Sequence, residues 1–545
     1  MAEMKKFPAL LFDTRSIQRY IYSGNKLRTN IGASFIVDRL FDDILIDGVL
    51  KEMFRADKFP SDDIWDASRD TIEPWTNFEH CCVAYVGGGN ALLLFDPSKE
   101  DRRVEVVENF TRKLLVERPG LRVGAALGTL TIDPETQSLN QNDINELYAE
   151  LKRNQNNVFP AVNVPYTGLT LSCEVNGEAA NALYRDDDGV RFYSQEVRVK
   201  MDAADDANFD LKRRFENIFE LKGLSKAIAD YEFPTQFEDL GQVEKNDYFA
   251  IVHVDGNNMG VKFRGCKTLS DRRRLSREIK RKTEGAFAGL LDRIIRMIEC
   301  NGFKDSIKLR DNYLPIRPII IGGDDITFVC PATTVLMFTT ALMELMNGAG
   351  IDCCGGITIL PTAYPFFRGY ELTEELCGSA KKSMRALQAD KGIAQSNWLD
   401  FAILHGEQAP TLDQIREREY RGARGDMHFG PYRVDNRGSK SAVERRHNIE
   451  NLFECTKQFM NSERIARNKV KELRSILQHG RDEAARFFQQ LGYQNQSLPT
   501  LDDWRDYATD LGWSKELEPR TPYIDAIELT DFYSAEVMSQ WQNLK

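Results

Sequence analysis

The chain has 545 residues, a formal net charge of −11, 42% hydrophobic and 28% charged residues, which describes an ordinary globular protein with room for several packed cores. It speaks against a chain that wraps nucleic acid by itself, since such chains carry a basic excess. No run approaches the ~18 apolar residues that span a bilayer, no secretory leader is expected, and none of the ten cysteines forms a Cys-x-x-Cys pair. A cytoplasmic protein without membrane contact and with reduced, buried thiols is expected.

In chain order, Pro8-Ala-Leu-Leu-Phe12-Asp13 reads as a buried strand ending in a carboxylate. Residues 81–86 and 91–95 flank Gly87-Gly88-Gly89-Asn90, a hairpin signal. A helix over 99–117 and a strand over 121–128 follow. Residues 168–246, with the acidic run Arg185-Asp-Asp-Asp-Gly189, read as a small insert plus linker. The first pattern then returns. Tyr248 to Asp255 is a strand ending in a carboxylate, and 319–321 and 326–330 flank Gly322-Gly323-Asp324-Asp325. A helix over 332–347, a strand over 351–360 and an amphipathic run over 370–380 come next. Each copy is β-α-β-β-α-β, the ferredoxin-like order. The spacing of Ile449, Leu452, Phe453 and Phe459 predicts a helical C-terminal domain. The fold class expected is α+β, with domains over 1–167, 168–246, 247–410 and 411–545.

Two basic patches interrupt this pattern. Arg272-Arg273-Arg274 through Lys282 reads as a solvated helix face. Arg416 to Arg446, with Tyr420, Phe429 and Tyr432 interleaved among glycines, reads as a flexible basic loop open to RNA or partner contact.

The chemistry concentrates in the second copy. Asp324 and Asp325 sit in a tight turn, and the topology brings Asp255 beside them. Three carboxylates at one sheet edge suit Mg²⁺ or Mn²⁺, hard cations held by a few carboxylates plus substrate phosphates. Two ions would stabilise both the attacking hydroxyl and the leaving pyrophosphate. Gly322 and Gly323 let backbone approach a nucleotide. Gly256-Asn257-Asn258-Met259-Gly260 lies between a strand and a helix, where successive N–H groups form an anion cradle. Lys381 supplies a positive point charge for phosphates. Aligning the two hairpins sets Gly89 opposite Asp324 and Asn90 opposite Asp325, so the first copy has lost its metal ligands although Asp13 remains.

These residues together resemble the large palm-domain subunit of type III CRISPR effector complexes, the CRISPR polymerase family, in its Cmr-type branch. The resemblance rests on Ser16 to Tyr22, Leu27-Arg28, Gly32-Ala33-Ser34, Ala250 to Gly260, Gly322 to Asp325, Tyr364-Pro365-Phe366, Ala380-Lys381 and Trp398 to Gly406. It implies two ferredoxin-like palm domains, the first degenerate and the second active. It further implies an RNA-guided complex in which target RNA switches on conversion of ATP into cyclic oligoadenylate. Partners would be the other Cmr-type subunits, with guide and target RNA held mostly through them. Asp255, Asp324 and Asp325 would hold the metals, Gly256 to Gly260 the donor phosphates, and Lys381 the triphosphate. Ser34 would face the second nucleotide.

Three departures accompany the resemblance. None of the six histidines precedes an aspartate, so the family's His-Asp nuclease domain is not expected. Cys173-Glu-Val-Asn176-Gly177 resembles a zinc-ribbon half with one ligand replaced, so zinc is not expected. Asp255-Gly-Asn257-Asn258 lacks one carboxylate of the family's usual motif. The product stays open between a cyclic oligoadenylate and an adduct of AMP with a second substrate such as S-adenosylmethionine. A scaffold without catalysis is the third reading.

Overall fold

A computed structural model describes residues 4–54, 81–133, 135–156, 167–186, 189–242, 247–391, 396–406, 410–434, 442–515 and 518–544. The chain is α+β and gathers into two compact units. One comprises residues 1–213, 258–283 and 319–324; the other comprises 214–257, 284–318 and 325–545.

In the first unit, β1 (Lys5–Arg15), β2 (Cys81–Gly87), β3 (Asn90–Phe95) and β4 (Arg122–Ile132) form an antiparallel sheet in the order β2-β3-β1-β4. This is the ferredoxin-like order that the sequence pattern predicts. Helices α1 (Ile17–Tyr22), α2 (Leu27–Arg39), α3 (Arg102–Glu117) and α4 (Gln141–Gln155) accompany it. Alternation along β1 sends Phe7, Ala9 and Leu11 into a cluster with Ile144, Leu147 and Leu151 of α4. Phe12, on the opposite face, packs at 4.7 Å from Phe110 of α3 and 6.4 Å from Phe41. A strand buried on both faces needs an unbroken apolar run, and each such large side chain contributes about 1.5–3 kcal/mol by leaving water. Asp13 continues the odd-numbered row and therefore lies on the α4 face.

The stretch read as insert and linker holds more structure than expected. Strands β5 (Ala182–Asp186) and β6 (Gly189–Tyr193) pair as a hairpin, and α5 (Gln195–Lys222) runs for 28 residues. Its acidic surface masks a stripe of Val197, Met201, Ala204, Leu211, Phe215 and Phe219, all buried. Cys173 packs with Tyr193, Val197 and Met201. Further along lie α6 (Met259–Gly265) and α7 (Leu269–Glu299). The basic patch at the start of α7 is only in part a solvated face, because Arg272 and Arg273 are buried. Their charges lie near Tyr85 and Cys82 of β2, respectively, so their long stems cover apolar surface.

The second sheet contains β7 (Tyr248–Gly256), β8 (Arg317–Gly322), β9 (Asp325–Pro331), β10 (Cys353–Pro361), β11 (Trp398–Ile403) and β12 (Tyr432–Arg433). The order is β12-β11-β10-β7-β9-β8, so the four repeat strands keep the order of the first sheet. Helix α8 (Val335–Gly348) precedes β10, and α9 (Phe366–Lys391) links β10 to its parallel neighbour β11. The amphipathic run expected over 370–380 is the middle of α9. The helical C-terminal region includes Ile449–Met460, Arg467–His479, Arg481–Tyr493, Tyr523–Leu529 and Ala535–Asn543.

Part of the segment read as a flexible basic loop is core, above all residues 427–434, whereas Arg418 and Arg421 are exposed. Tyr420, Phe429 and Tyr432 are buried. Arg416 pairs with Asp400 at 3.0 Å, and His428 bridges Asp400 and Asp525 at 3.0 and 3.1 Å. Basic composition misled at Arg416 and Arg433, because these charges meet the buried carboxylates of Asp400 and Glu444 rather than solvent. Residues 435–441 of that segment lie outside the described residues. No helix among the described residues is long and apolar enough to cross a membrane.

Candidate active site

The second sheet places Asp255 of β7 directly opposite Asp325 of β9. Directly opposed residues of an antiparallel pair share a face, so two carboxylates stand side by side. The first sheet has the same register with different chemistry: Asp13 of β1 faces Asn90 of β3. The equivalence of Asn90 with Asp325 therefore holds in backbone pairing as well as in sequence.

The two hairpin turns differ in one backbone angle. Gly88 and Gly89 both adopt positive φ, 60° and 79°, whereas of Gly323 and Asp324 only Gly323 does, at 62°. The first turn thus demands glycine at its second position, and the second turn tolerates a side chain there. This is the backbone reason that Asp324 has no counterpart in the first copy.

Two neighbours engage the carboxylates. Lys381 of α9 pairs with Asp255. Burial alone would depress the Lys381 ammonium, but the facing Asp255 carboxylate outweighs it and raises its pKa. His253 precedes Asp255 by two residues and so shares its face. Its Nδ1 lies 3.2 Å from Asp325 Oδ1 and 3.2 Å from Thr327 Oγ1. Burial disfavours the imidazolium, yet Asp325 and then Asp255 outweigh it and raise the His253 pKa. Tyr370 of α9 packs edge-on against His253 at 5.8 Å and donates a hydrogen bond to Glu374 at 3.2 Å. Desolvation raises the Glu374 pKa, opposed by His253 and Tyr370. Helix α9 lies close on this face because Gly356 of β10, opposite His253, has no side chain. A methyl group there would clash with the Thr373 carbonyl and the Cys377 amide.

The remaining sequence-derived residues occupy distinct places. Gly256 ends β7 in register with Cys353. Asn257, expected in the phosphate cradle, turns inward. It is 3% exposed and its N–H donates to the Asp352 carbonyl at 2.7 Å. Asn258, exposed and left-handed at φ 59°, leads into α6, where Met259 is buried and Gly260 exposed. Ser16 takes the same left-handed geometry, φ 53°, three residues after Asp13. Gly322 ends β8 and is half-buried, as are Gly323 and Asp324. Ser34 of α2 donates to the Ile319 carbonyl, so its hydroxyl is engaged by backbone. Its neighbour Gly32 is required by a close approach to the Lys200 carbonyl of α5.

Sequence reasoning followed carboxylates and glycines and overlooked His253, Tyr370 and Glu374. The period of two on β7 would have found His253. The spacing of Glu374 and Lys381, two helical turns apart, would have found Glu374.

Among the described residues, no three His, Cys, Asp or Glu side chains converge closely enough to enclose a metal ion. Asp325 Oδ1 is nonetheless buried without a well-aligned hydrogen bond, a costly state that a cation relieves. Two opposed carboxylates with one orphaned oxygen fit a divalent ion that takes its other ligands from a nucleotide's phosphates and water.

Residues 248–387 match the family model described as Cas10/Cmr2, second palm domain. None of the curated proteins matches the chain. Among solved structures, the apo Csm1-Csm4 cassette is similar over 96% of this chain and 70% of that one, with TM-score 0.50 and 12% identity. The Csm1-Csm4 cassette in complex with cA3 aligns over 97% and 70%, with TM-score 0.48 and 11% identity. Csm1 in T.onnurineus aligns over 97% and 70%, with TM-score 0.46 and 14% identity. At such identities the likeness to the apo cassette is one of fold.

Proposed function

We propose that this chain is the large, Cas10-type subunit of a Cmr-type, RNA-guided type III CRISPR complex, and that its second palm converts ATP into a signalling nucleotide when target RNA binds. The supporting observation is the opposed pair Asp255 and Asp325, within the segment that matches a Cas10/Cmr2 second palm, with the equivalent pair in the first sheet reduced to Asp13 and Asn90.

On this reading Asp255 and Asp325, with Asp324 beside them in the turn, hold Mg²⁺ or Mn²⁺. A bound divalent ion supplies charge neutralisation at the phosphates. Lys381 is placed to exchange its partner, Asp255, for the triphosphate. An acceptor hydroxyl attacks the α-phosphate and pyrophosphate leaves, with positioning and electrostatics giving most of the acceleration. Asn258 and Gly260, exposed at the head of α6, are the parts of the expected cradle that face solvent. The first palm contributes no metal ligands at Asn90.

The test is product analysis. The complex, purified with its partner subunits and target RNA, is incubated with ATP and Mg²⁺ or Mn²⁺, with and without S-adenosylmethionine, and products are read by mass spectrometry. Cyclic oligoadenylate from ATP alone is the expected outcome. An AMP adduct that needs the second substrate would reassign the acceptor while keeping the site. No product from an intact, RNA-bound complex would leave only a scaffold role.

A further inference from the structure

We propose that His253 is a positioning residue for Asp325, fixing that carboxylate in the orientation in which it receives a divalent cation. The inference deepens the reading above and rests on it.

His253 Nδ1 lies 3.2 Å from Asp325 Oδ1, within ion-pair range but short of a well-aligned hydrogen bond; since a carboxylate can only accept, the contact is attractive only with the proton on Nδ1. This holds for the neutral ring and for the imidazolium alike, so the assignment does not depend on titration. Thr327 Oγ1, also 3.2 Å from Nδ1 and directly across the sheet from His253, accepts from the same proton. Two acceptors on neighbouring positions of β9 thus converge on one ring nitrogen.

The ring itself has little freedom. His253 is 6% exposed, and its edge-on contact with Tyr370 fixes the plane. Tyr370 is in turn held through its hydroxyl to Glu374 one helical turn on. Gly356 beneath the ring lets α9 lie close enough for this contact. The chain Glu374–Tyr370–His253 therefore sets a fixed positive or donor edge against one carboxylate of the opposed pair, while Lys381 pairs exchangeably with the other. Partners of this kind, one step removed from a metal, set the orientation of the ligand, and their loss weakens metal binding by roughly 10–100-fold.

The experiment measures Mn²⁺ binding by calorimetry, in the presence of a non-hydrolysable ATP analogue, on the full chain with its partners. The variants are His253→Leu, His253→Asn and Asp325→Asn. Asparagine keeps an N–H donor near the Nδ1 position and leucine does not. Roughly tenfold weaker Mn²⁺ binding is expected for His253→Leu, with most of the affinity regained in His253→Asn. Thermal unfolding of both variants reports the structural cost separately. Equal weakening in the two His253 variants would mean that ring packing, not the donor, matters, and would overturn the proposal. So would unchanged binding in His253→Leu while Asp325→Asn loses it. Unchanged binding in Asp325→Asn would instead remove the carboxylate site itself, and with it both readings.

Discussion

The two sheets carry one topology and opposite chemistry, and the difference lies in a few positions. Both order their strands identically, and both place an aspartate at the same register, Asp13 and Asp255. Each aspartate receives a donor from the helix that follows the sheet's fourth strand. In the first sheet the donor is the neutral amide of Gln155, and in the second the ammonium of Lys381. Desolvation raises the Asp13 pKa, only partly opposed by Gln155. The glycines on the fourth strand have also moved. Gly124 stands opposite Asp13 and admits the Gln155 stem, whereas Gly356 stands opposite His253 and admits the backbone of α9. Charge, counter-charge and close packing coincide at Asp255 and Asp325 and not at Asp13 and Asn90.

The largest expected effect is on catalysis. Asp325→Asn should lower product formation by at least about 100-fold, because a neutral amide replaces a charged ligand at the reacting phosphates. Asn90→Ala should leave the rate nearly unchanged. Equal losses in both, read by mass spectrometry, would end the distinction between the palms.

Packing provides the next contrast. Gly356→Ala should destabilise the fold by about 3 kcal/mol, since the clash is with backbone that cannot rotate away. The equivalent position of the first sheet already carries Ala126, opposite Leu11. Ala126→Gly should cost only about 1 kcal/mol. Chemical denaturation measures both.

A third contrast uses the extension that the first sheet lacks among the described residues. Strand β11 pairs with β10 from Trp398 to Ile403, and its Asp400 reaches Asp525 through His428, whose ring packs edge-on against Tyr420, the donor to Glu528. Burial pushes the Glu528 carboxyl up to about 7, against the opposing pull of Arg474. A raised folded-state pKa contributes stability that is complete below the unfolded value near 4.5 and is lost as pH rises through about 7. Glu528→Gln should therefore flatten the decline of unfolding free energy between these pH values, by on the order of 3 kcal/mol. An unaltered pH profile would show that Arg474 keeps the carboxylate ionised throughout.

The smallest effect tests the counter-charge. Asn90→Asp would set two carboxylates opposite each other without a cation, costing up to about 1 kcal/mol. Adding Gln155→Lys should restore most of it, and failure of that rescue would mean that Lys381 does not balance the pair in the second sheet.

Much of this was legible in the sequence, for identifiable reasons. The repeat strands are short apolar runs ending at Asp13 and Asp255, and a strand buried on both faces leaves that pattern. The turns announced themselves through glycine. Helix α5 was less legible because Asp202, Asp205, Asp206 and Asp210 dominate its composition, while its core stripe from Val197 to Phe219 is spread over about six turns. The aromatic residues at 420, 429 and 432 were hidden for a related reason, since composition averages over faces and structure does not. His253 was overlooked because a lone histidine in an apolar strand gives no signal until its neighbour across the sheet is known.

The ion pair of Lys381 with Asp255 also sets what the site does when idle. With that lysine in place, the pair of carboxylates presents roughly one net negative charge to an arriving ion rather than two. A bare cation must displace the lysine and leave it without a partner. A cation already complexed to a triphosphate brings an anion that takes the lysine over. On the proposed function the site would work as an ion exchanger, rejecting metal alone and admitting metal with its nucleotide, so that occupancy would follow the supply of substrate rather than of salt.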